Sequence, residues 1–223
     1  MKEKVAVFVD WENVRLEIQN IQRTHKDREK IIFNYNNIDN ILKLFNSVLQ
    51  ENEKLYRTFF YSAEPLSLND LLKNSSKNSH IYNAITKFRD ENLQEYEKME
   101  KLRGQILKLL HDISVSPYIA LRLGELKMQG FTDRGKPNIV QKQVDMLMGL
   151  DISHVSYKRL VDKIIVFCKD TDIVPALKCA RTNGIEVIVV DIAEGYKIGN
   201  KILKHSDCVR KISLLEKFSD QGI

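Results

Sequence analysis

The stretch that decides the fold is Lys163-Ile-Ile-Val-Phe-Cys-Lys-Asp-Thr-Asp172. An apolar, β-prone run ends in two carboxylates, Asp170 and Asp172. A second stretch has the same design: Lys4-Val-Ala-Val-Phe-Val-Asp-Trp-Glu-Asn13 closes on Asp10, Glu12 and Asn13. Continuous runs of Val, Ile and Phe read as parallel strands buried on both faces. Acids just beyond the C-terminal ends of such strands lie where open α/β sheets bind ligands. Carboxylates gathered in one crevice repel one another, so they share protons or hold a cation.

The rest of the chain supplies the elements such a sheet needs. After Asn13 the apolar spacing becomes helical, with Asp10 or Asn13 as cap. Asn36 or Asn37 caps an amphipathic helix carrying Ile38, Ile41, Leu42, Phe45 and Leu49. Strands are predicted at 5–9, 55–62, 116–127, 163–168, 185–190 and 208–212. Helices are predicted at 141–152, 173–182 and 194–206, and residues 128–139, with two Gly and one Pro, as a mobile loop. The alternation argues for a doubly wound, Rossmann-like α/β parallel sheet in a single domain, 1–223.

One segment exceeds what a crossover requires. Residues 66–114 form a long helical insertion, polar and charged, with apolar residues spaced near 3.5 from Ile81 to Ile113. The spacing predicts a short helix and a long one, divided at 74–79. The insertion either packs on the sheet or offers a face to a protein partner or a second copy of the chain.

Composition sets outer limits. Hydrophobic residues make up 43% and charged residues 29% of the 223, the balance of a soluble globular protein. No apolar run nears the roughly 20 residues that span a bilayer, and 5–9 is too short for a signal peptide, so a cytoplasmic location is expected. Three cysteines without CxxC spacing read as free thiols. The net charge of +5 permits a polyanionic partner.

The candidates for chemistry are Asp10, Asp145, Asp170 and Asp172, with Asp151 a less certain member. Such a set, without His or Cys, suits a hard cation. Lys127, Arg134, Lys136 and Lys142 flank the loop; Lys197, Lys201 and Lys204 fall on one helical face, with His205, Arg210 and Lys211 nearby. These could track an RNA backbone or be an ordinary solvated face. Trp11 and Tyr196 could stack on bases, or Trp11 could be core. Lys169, beside the acids, could bind phosphate or compete with a metal.

The motifs Val-Phe-Val-Asp-Trp-Glu-Asn13, Gln-Lys-Gln-Val-Asp145 with Asp151, Cys-Lys-Asp-Thr-Asp-Ile-Val-Pro175 and Gly-Ile-Glu-Val-Ile-Val-Val190 resemble those of the NYN family, a PIN-like group that includes LabA-type bacterial proteins. The resemblance implies a metal-dependent endoribonuclease leaving 5′-phosphates. Asp10, Asp145, Asp170 and Asp172 would bind Mg²⁺ or Mn²⁺. Asn13 would hold a water or the scissile phosphate, and Lys142 matches the basic residue before the helix acid. The chain departs from the pattern at Cys168, where Ser or Thr is usual, at Lys169, where a small residue is usual, and at Ile173, where Phe is common. A non-catalytic RNA- or protein-binding module on the same fold is the alternative. A haloacid-dehalogenase-type hydrolase is disfavoured because Glu12 stands where its second Asp would be, and no phosphate-cradling GxxxxGK[ST] loop occurs.

Overall fold

A computed structural model describes residues 2–132 and 135–219. Its centre is a seven-stranded sheet built from β1 (Glu3–Asp10), β2 (Glu53–Ala63), β3 (Ile119–Phe131), β4 (Pro137–Lys142), β5 (Lys163–Phe167), β6 (Glu186–Ile192) and β7 (Cys208–Ile212), in the order β4-β3-β2-β1-β5-β6-β7. Every pair is parallel except β3 with β4. Among the parallel strands, sequence order runs outward in one direction from β1 to β3 and in the other from β5 to β7. The reversal falls between β1 and β5, the place where such sheets open a crevice beyond their strand ends.

The two apolar runs become the central strands because both of their faces are covered. Val5, Val7 and Val9 point to one layer with α1 (Trp11–Thr24), α2 (Ile38–Asn46) and the end of α5 (Leu93–Ser114), through Ile18, Leu44, Phe45, Leu110 and Ile113. Ala6 and Phe8 point to the other, with α6 (Val144–Tyr157) and α7 (Val174–Thr182), through Met148, Ile152 and Leu177. Fully burying aliphatic and aromatic side chains contributes about 1.5–3 kcal/mol each, which makes this double layer the main stabilising feature. Among the described residues no helix is long and apolar enough to cross a membrane.

The insertion is three helices rather than two. α3 (Leu68–Asn74) and α4 (His80–Glu91) are capped by the Ser67 and Ser79 hydroxyls, and a further break at Asn92 separates α4 from α5. Its near-heptad residues serve two ends. Leu109, Leu110 and Ile113 join the main core, whereas Leu68, Ile85, Phe88 and Tyr96 form a small core with Met128 and Phe131.

That second core corrects the expectation of a mobile loop at 128–139. Most of this stretch is the β3–β4 hairpin, fastened to the insertion by Phe88 against Phe131 (5.6 Å) and Lys136 to Glu95 (2.9 Å). The Gly and Pro content suggested a loop, but Gly130 sits in a β-bulge with φ +129° and Pro137 opens the edge strand, both permitted places. Arg134 lies outside the described residues.

The basic helix expected at 194–206 is also different. Only Asn200–Leu203 (α8) is helical. The preceding segment is held otherwise: the Glu194 carboxylate accepts hydrogen bonds from the Ser213 hydroxyl (2.5 Å) and the Leu214 N–H (3.0 Å) at the start of α9 (Leu214–Phe218). Lys197 therefore precedes the helix, and the expected single face of Lys197, Lys201 and Lys204 does not form, although all three are exposed.

Candidate active site

The crevice between β1 and β5 is lined by the ends of the two stretches. Asp10 ends β1 and caps α1, its Oδ1 accepting the Asn13 N–H at 3.1 Å. The side chain is buried, with 7% of the residue exposed. Burial pushes its carboxyl up to about 6; the Asn13 N–H opposes this, and the carboxylates of Asp145, Glu12 and Asp170 reinforce it. Asp170 follows β5 and caps a short 3₁₀ turn, accepting the Asp172 N–H at 3.0 Å, and both acids are exposed.

Asp145 arrives from the opposite side by a different route. The chain leaves β4 through Gln143, in the left-handed conformation (φ 75°), and enters α6 with Asp145 in its first turn, where the helix dipole favours an anion. The turn can pass close to β3 because residue 124 is glycine. A Cβ there would stand 2.5 Å from the Lys142 carbonyl and 2.8 Å from Val144 Cγ2. Burial raises the Asp145 carboxyl, and the charges of Asp170 and Asp172 raise it further.

The Asp10 carboxyl thus feels the charges of Asp145 and Asp170, and the Asp145 carboxyl those of Asp170 and Asp172. As the carboxylates stand, no group of three or more His, Cys, Asp or Glu side chains among the described residues is close enough to hold a metal ion. The donor set itself fits a hard divalent cation: oxygen ligands only, like charges facing one another, and a buried carboxyl driven toward its neutral form by its surroundings.

Asp151 does not belong to this group. Its Oδ2 accepts from the Tyr61 hydroxyl at 2.8 Å and from Arg122 Nε at 2.9 Å, a structural trio within the sheet layer. Burial, aided by the adjacent Asp151 charge, raises the Tyr61 phenol. Trp11 is core rather than a stacking platform, 4% exposed and tilted against Phe60 at 5.4 Å, whereas Tyr196 is 53% exposed.

The two departures at the end of β5 have local explanations. Cys168 is buried and bridges two acids: its thiol approaches Asp10 Oδ2 at 3.8 Å while its sulfur receives the Asp170 N–H at 3.4 Å. A hydroxyl in this position could make the same pair of contacts. Burial pushes this thiol well above its usual range, and the Asp10 charge adds to the effect.

Lys169, expected either to bind phosphate or to compete with a metal, directs its cation away from the acids. Its backbone N–H donates to Asn13 Oδ1 at 3.2 Å, but its Nζ turns away, to Glu17 Oε1 at 2.6 Å, Asp191 Oδ1 at 3.2 Å and the Tyr196 carbonyl. Glu17 also accepts the Tyr196 N–H at 2.8 Å. This arrangement needs Gly195, where an added Cβ would fall 1.8 Å from Glu17 Oε1. Glu17 was not among the residues selected from sequence. A buried carboxylate on the first helix, 152 positions before its lysine, leaves no local signal.

Lys142, at the end of β4, is exposed and three residues before Asp145. Arg15 Nη2 pairs with Glu12 Oε1 at 2.6 Å, which places a guanidinium beside the first acid stretch. The NYN domain family model matches residues 4–205. No curated protein and no solved structure matches the chain.

Proposed function

Because the chain belongs to the NYN domain family, a nuclease-type fold, we propose that it is a metal-dependent endoribonuclease acting on cytoplasmic RNA. The observation that supports this most is Asp10, a buried carboxyl raised to about 6 and facing the charges of Asp145 and Asp170 at the reversal of strand order. An acid so placed favours a bound cation as the relief of its repulsion.

Asp10, Asp145, Asp170 and Asp172 would hold Mg²⁺ or Mn²⁺. Bound there, the ion would activate a water and neutralise charge on the phosphodiester. Asn13 has its Oδ1 committed to the Lys169 N–H, leaving its amide NH₂ to donate to a phosphate oxygen or the attacking water. Cys168 ties Asp10 to the Asp170 backbone, which keeps the acids of the two strands in register. Lys142, Lys197, Lys201 and Lys204 are exposed cations that would meet backbone phosphates. The products would carry 5′-phosphates.

The test is cleavage of an end-labelled RNA panel by purified protein with Mn²⁺ or Mg²⁺. Cleavage should disappear with EDTA and in Asp10→Asn and Asp170→Asn variants whose unfolding transitions remain cooperative. Uncut RNA in every metal condition would remove the enzymatic reading. Binding that persists unchanged in EDTA and in Asp10→Asn would then mark a non-catalytic RNA-binding module.

A further inference from the structure

Beside the acid crevice, a cavity of about 520 Å³ opens between the start of α1, the insertion helix α5 and the β3–β4 hairpin. Its walls include Trp11, Tyr35, Leu102, Ile106 and Ile139, with Arg15 and Gln141 among its polar members. This is within the roughly 300–1,000 Å³ of small-ligand pockets, and such apolar walls with a few directed polar groups are their usual make-up.

Two chain segments link the cavity wall to the acid site. Trp11 and Glu12, both in its wall, follow Asp10 directly. Gln141 is in its wall, and four residues later the chain delivers Asp145. We infer that this cavity is a nucleobase pocket, receiving one unpaired base of an RNA strand whose adjoining phosphate lies at the acids. The inference rests on the ribonuclease reading for its choice of RNA.

The chemistry of the walls favours a base over other occupants. Tyr35 offers aromatic surface, Leu102 and Ile106 an aliphatic wall with the edge of the buried Trp11 behind it, and Gln141, Asn36 and Ser62 supply hydrogen-bonding groups of both polarities. Arg15 is held by Glu12, also in the wall, so the pair lends the pocket mouth directed polar atoms without net charge, which suits an uncharged base whose phosphates remain outside. The pocket also gives the insertion a task. Leu102 is 47% exposed on α5, a large apolar side chain left uncovered in the wall. Without α5 this side of the cavity would be open. A paired base is stacked within its duplex and cannot enter, so the pocket selects single-stranded or flipped-out residues.

The test uses the full chain in EDTA and a short fluorescently labelled single-stranded RNA. Trp11 is the chain's single tryptophan, so its emission reports on the pocket. Saturable RNA binding that alters Trp11 emission is expected, with a blunt duplex of the same sequence binding more weakly. Leu102→Glu changes a half-exposed wall residue away from the acids and should weaken single-strand binding at least about tenfold, the loss of one stacked base. Anisotropy of the labelled strand is followed in parallel. Unchanged affinity in both Leu102→Glu and Ile106→Phe would overturn the pocket, whatever Trp11 reports. So would a saturable Trp11 response to a fatty acid with none to RNA. If no RNA is cleaved in any metal condition but Leu102→Glu still weakens binding, the ribonuclease reading fails and the pocket stands.

Discussion

The ammonium of Lys169 lies 2.6 Å from the Glu17 carboxylate, and with this contact the cation next to Asp170 is turned out of the acid crevice. The pair is nearly dry, with side-chain exposures of 11% and 4%. Removing one partner leaves a buried charge uncompensated. Lys169→Met is therefore expected to lower unfolding free energy by about 3–5 kcal/mol in urea titrations. Lys169→Met combined with Glu17→Gln should recover part of that loss. A lysine serving RNA instead would give a smaller stability change and a shallower salt dependence of binding.

Gly124 controls the approach of α6 to β3, and with it the position of Asp145. Gly124→Ala would press its new Cβ against the Lys142 carbonyl and the Val144 side chain. The expected result is a loss of RNA cleavage larger than the loss of binding to the same RNA, together with a lowered Tm. Cleavage and binding at wild-type levels would mean that the turn through Gln143 tolerates the change.

Cys168 can be separated into packing and hydrogen bonding. Cys168→Ser keeps a donor between Asp10 and Asp170 and should retain the cleavage rate. Cys168→Ala removes it, and the single-turnover rate should fall roughly tenfold, the value of about one hydrogen bond. Equal rates in the two variants would assign Cys168 to packing alone.

Asp10 opposes folding, and Asp151 supports it. Charging Asp10 at neutral pH is disfavoured by its burial and its neighbours. Asp10→Asn should raise stability by about 3 kcal/mol at neutral pH while abolishing cleavage, since a carboxyl raised from 3.8 to about 6 loses about 1.4 kcal/mol for each tenfold change in its protonation equilibrium. Asp151→Asn should do the reverse, lowering Tm because Arg122 loses the carboxylate charge that it pairs with. Differential scanning fluorimetry of the two variants side by side checks both signs.

Glu53 governs acid stability at the opposite edge of the sheet. Burial disfavours its charge, but Arg210, paired through both nitrogens at 2.9 Å, and the Gln50 N–H outweigh that and hold the carboxyl below its usual range. A carboxyl lowered in the folded state contributes stability that is complete above its unfolded pKa and is lost as the pH falls through the folded one. Tm should therefore decline as the pH falls below about 4.5, the ordinary value for a glutamate. Arg210→Met should lower Tm at neutral pH and flatten that acid limb. A limb as steep in the variant as in the wild type would place its cause elsewhere.

The central strands could be read from sequence because a strand covered on both faces needs no alternation, only an uninterrupted apolar run, and 5–9 and 163–168 supply it. The acids at their ends could be read with them, since a strand end is a fixed address in such a sheet. The β4 edge strand could not: an edge tolerates Pro, Gly and polar residues, so its composition matches that of a loop. The break at Asn92 lies within good helix formers and is set by the packing of Phe88 and Tyr96 against the hairpin. The direction of the Lys169 side chain depends on Glu17, Asp191 and Gly195, all remote in sequence. That contact decides whether a cation faces the crevice, and only the folded chain brings it about.

The reversal of strand order between β1 and β5 also sets a schedule. During synthesis, Asp10 emerges early, but β5 must slot in beside β1 before Asp170 can face it, and more than 150 residues separate the two acids. A growing chain carries only half of the charge cluster. The four acids that the proposed activity calls for are therefore complete only once the chain has entered its last third.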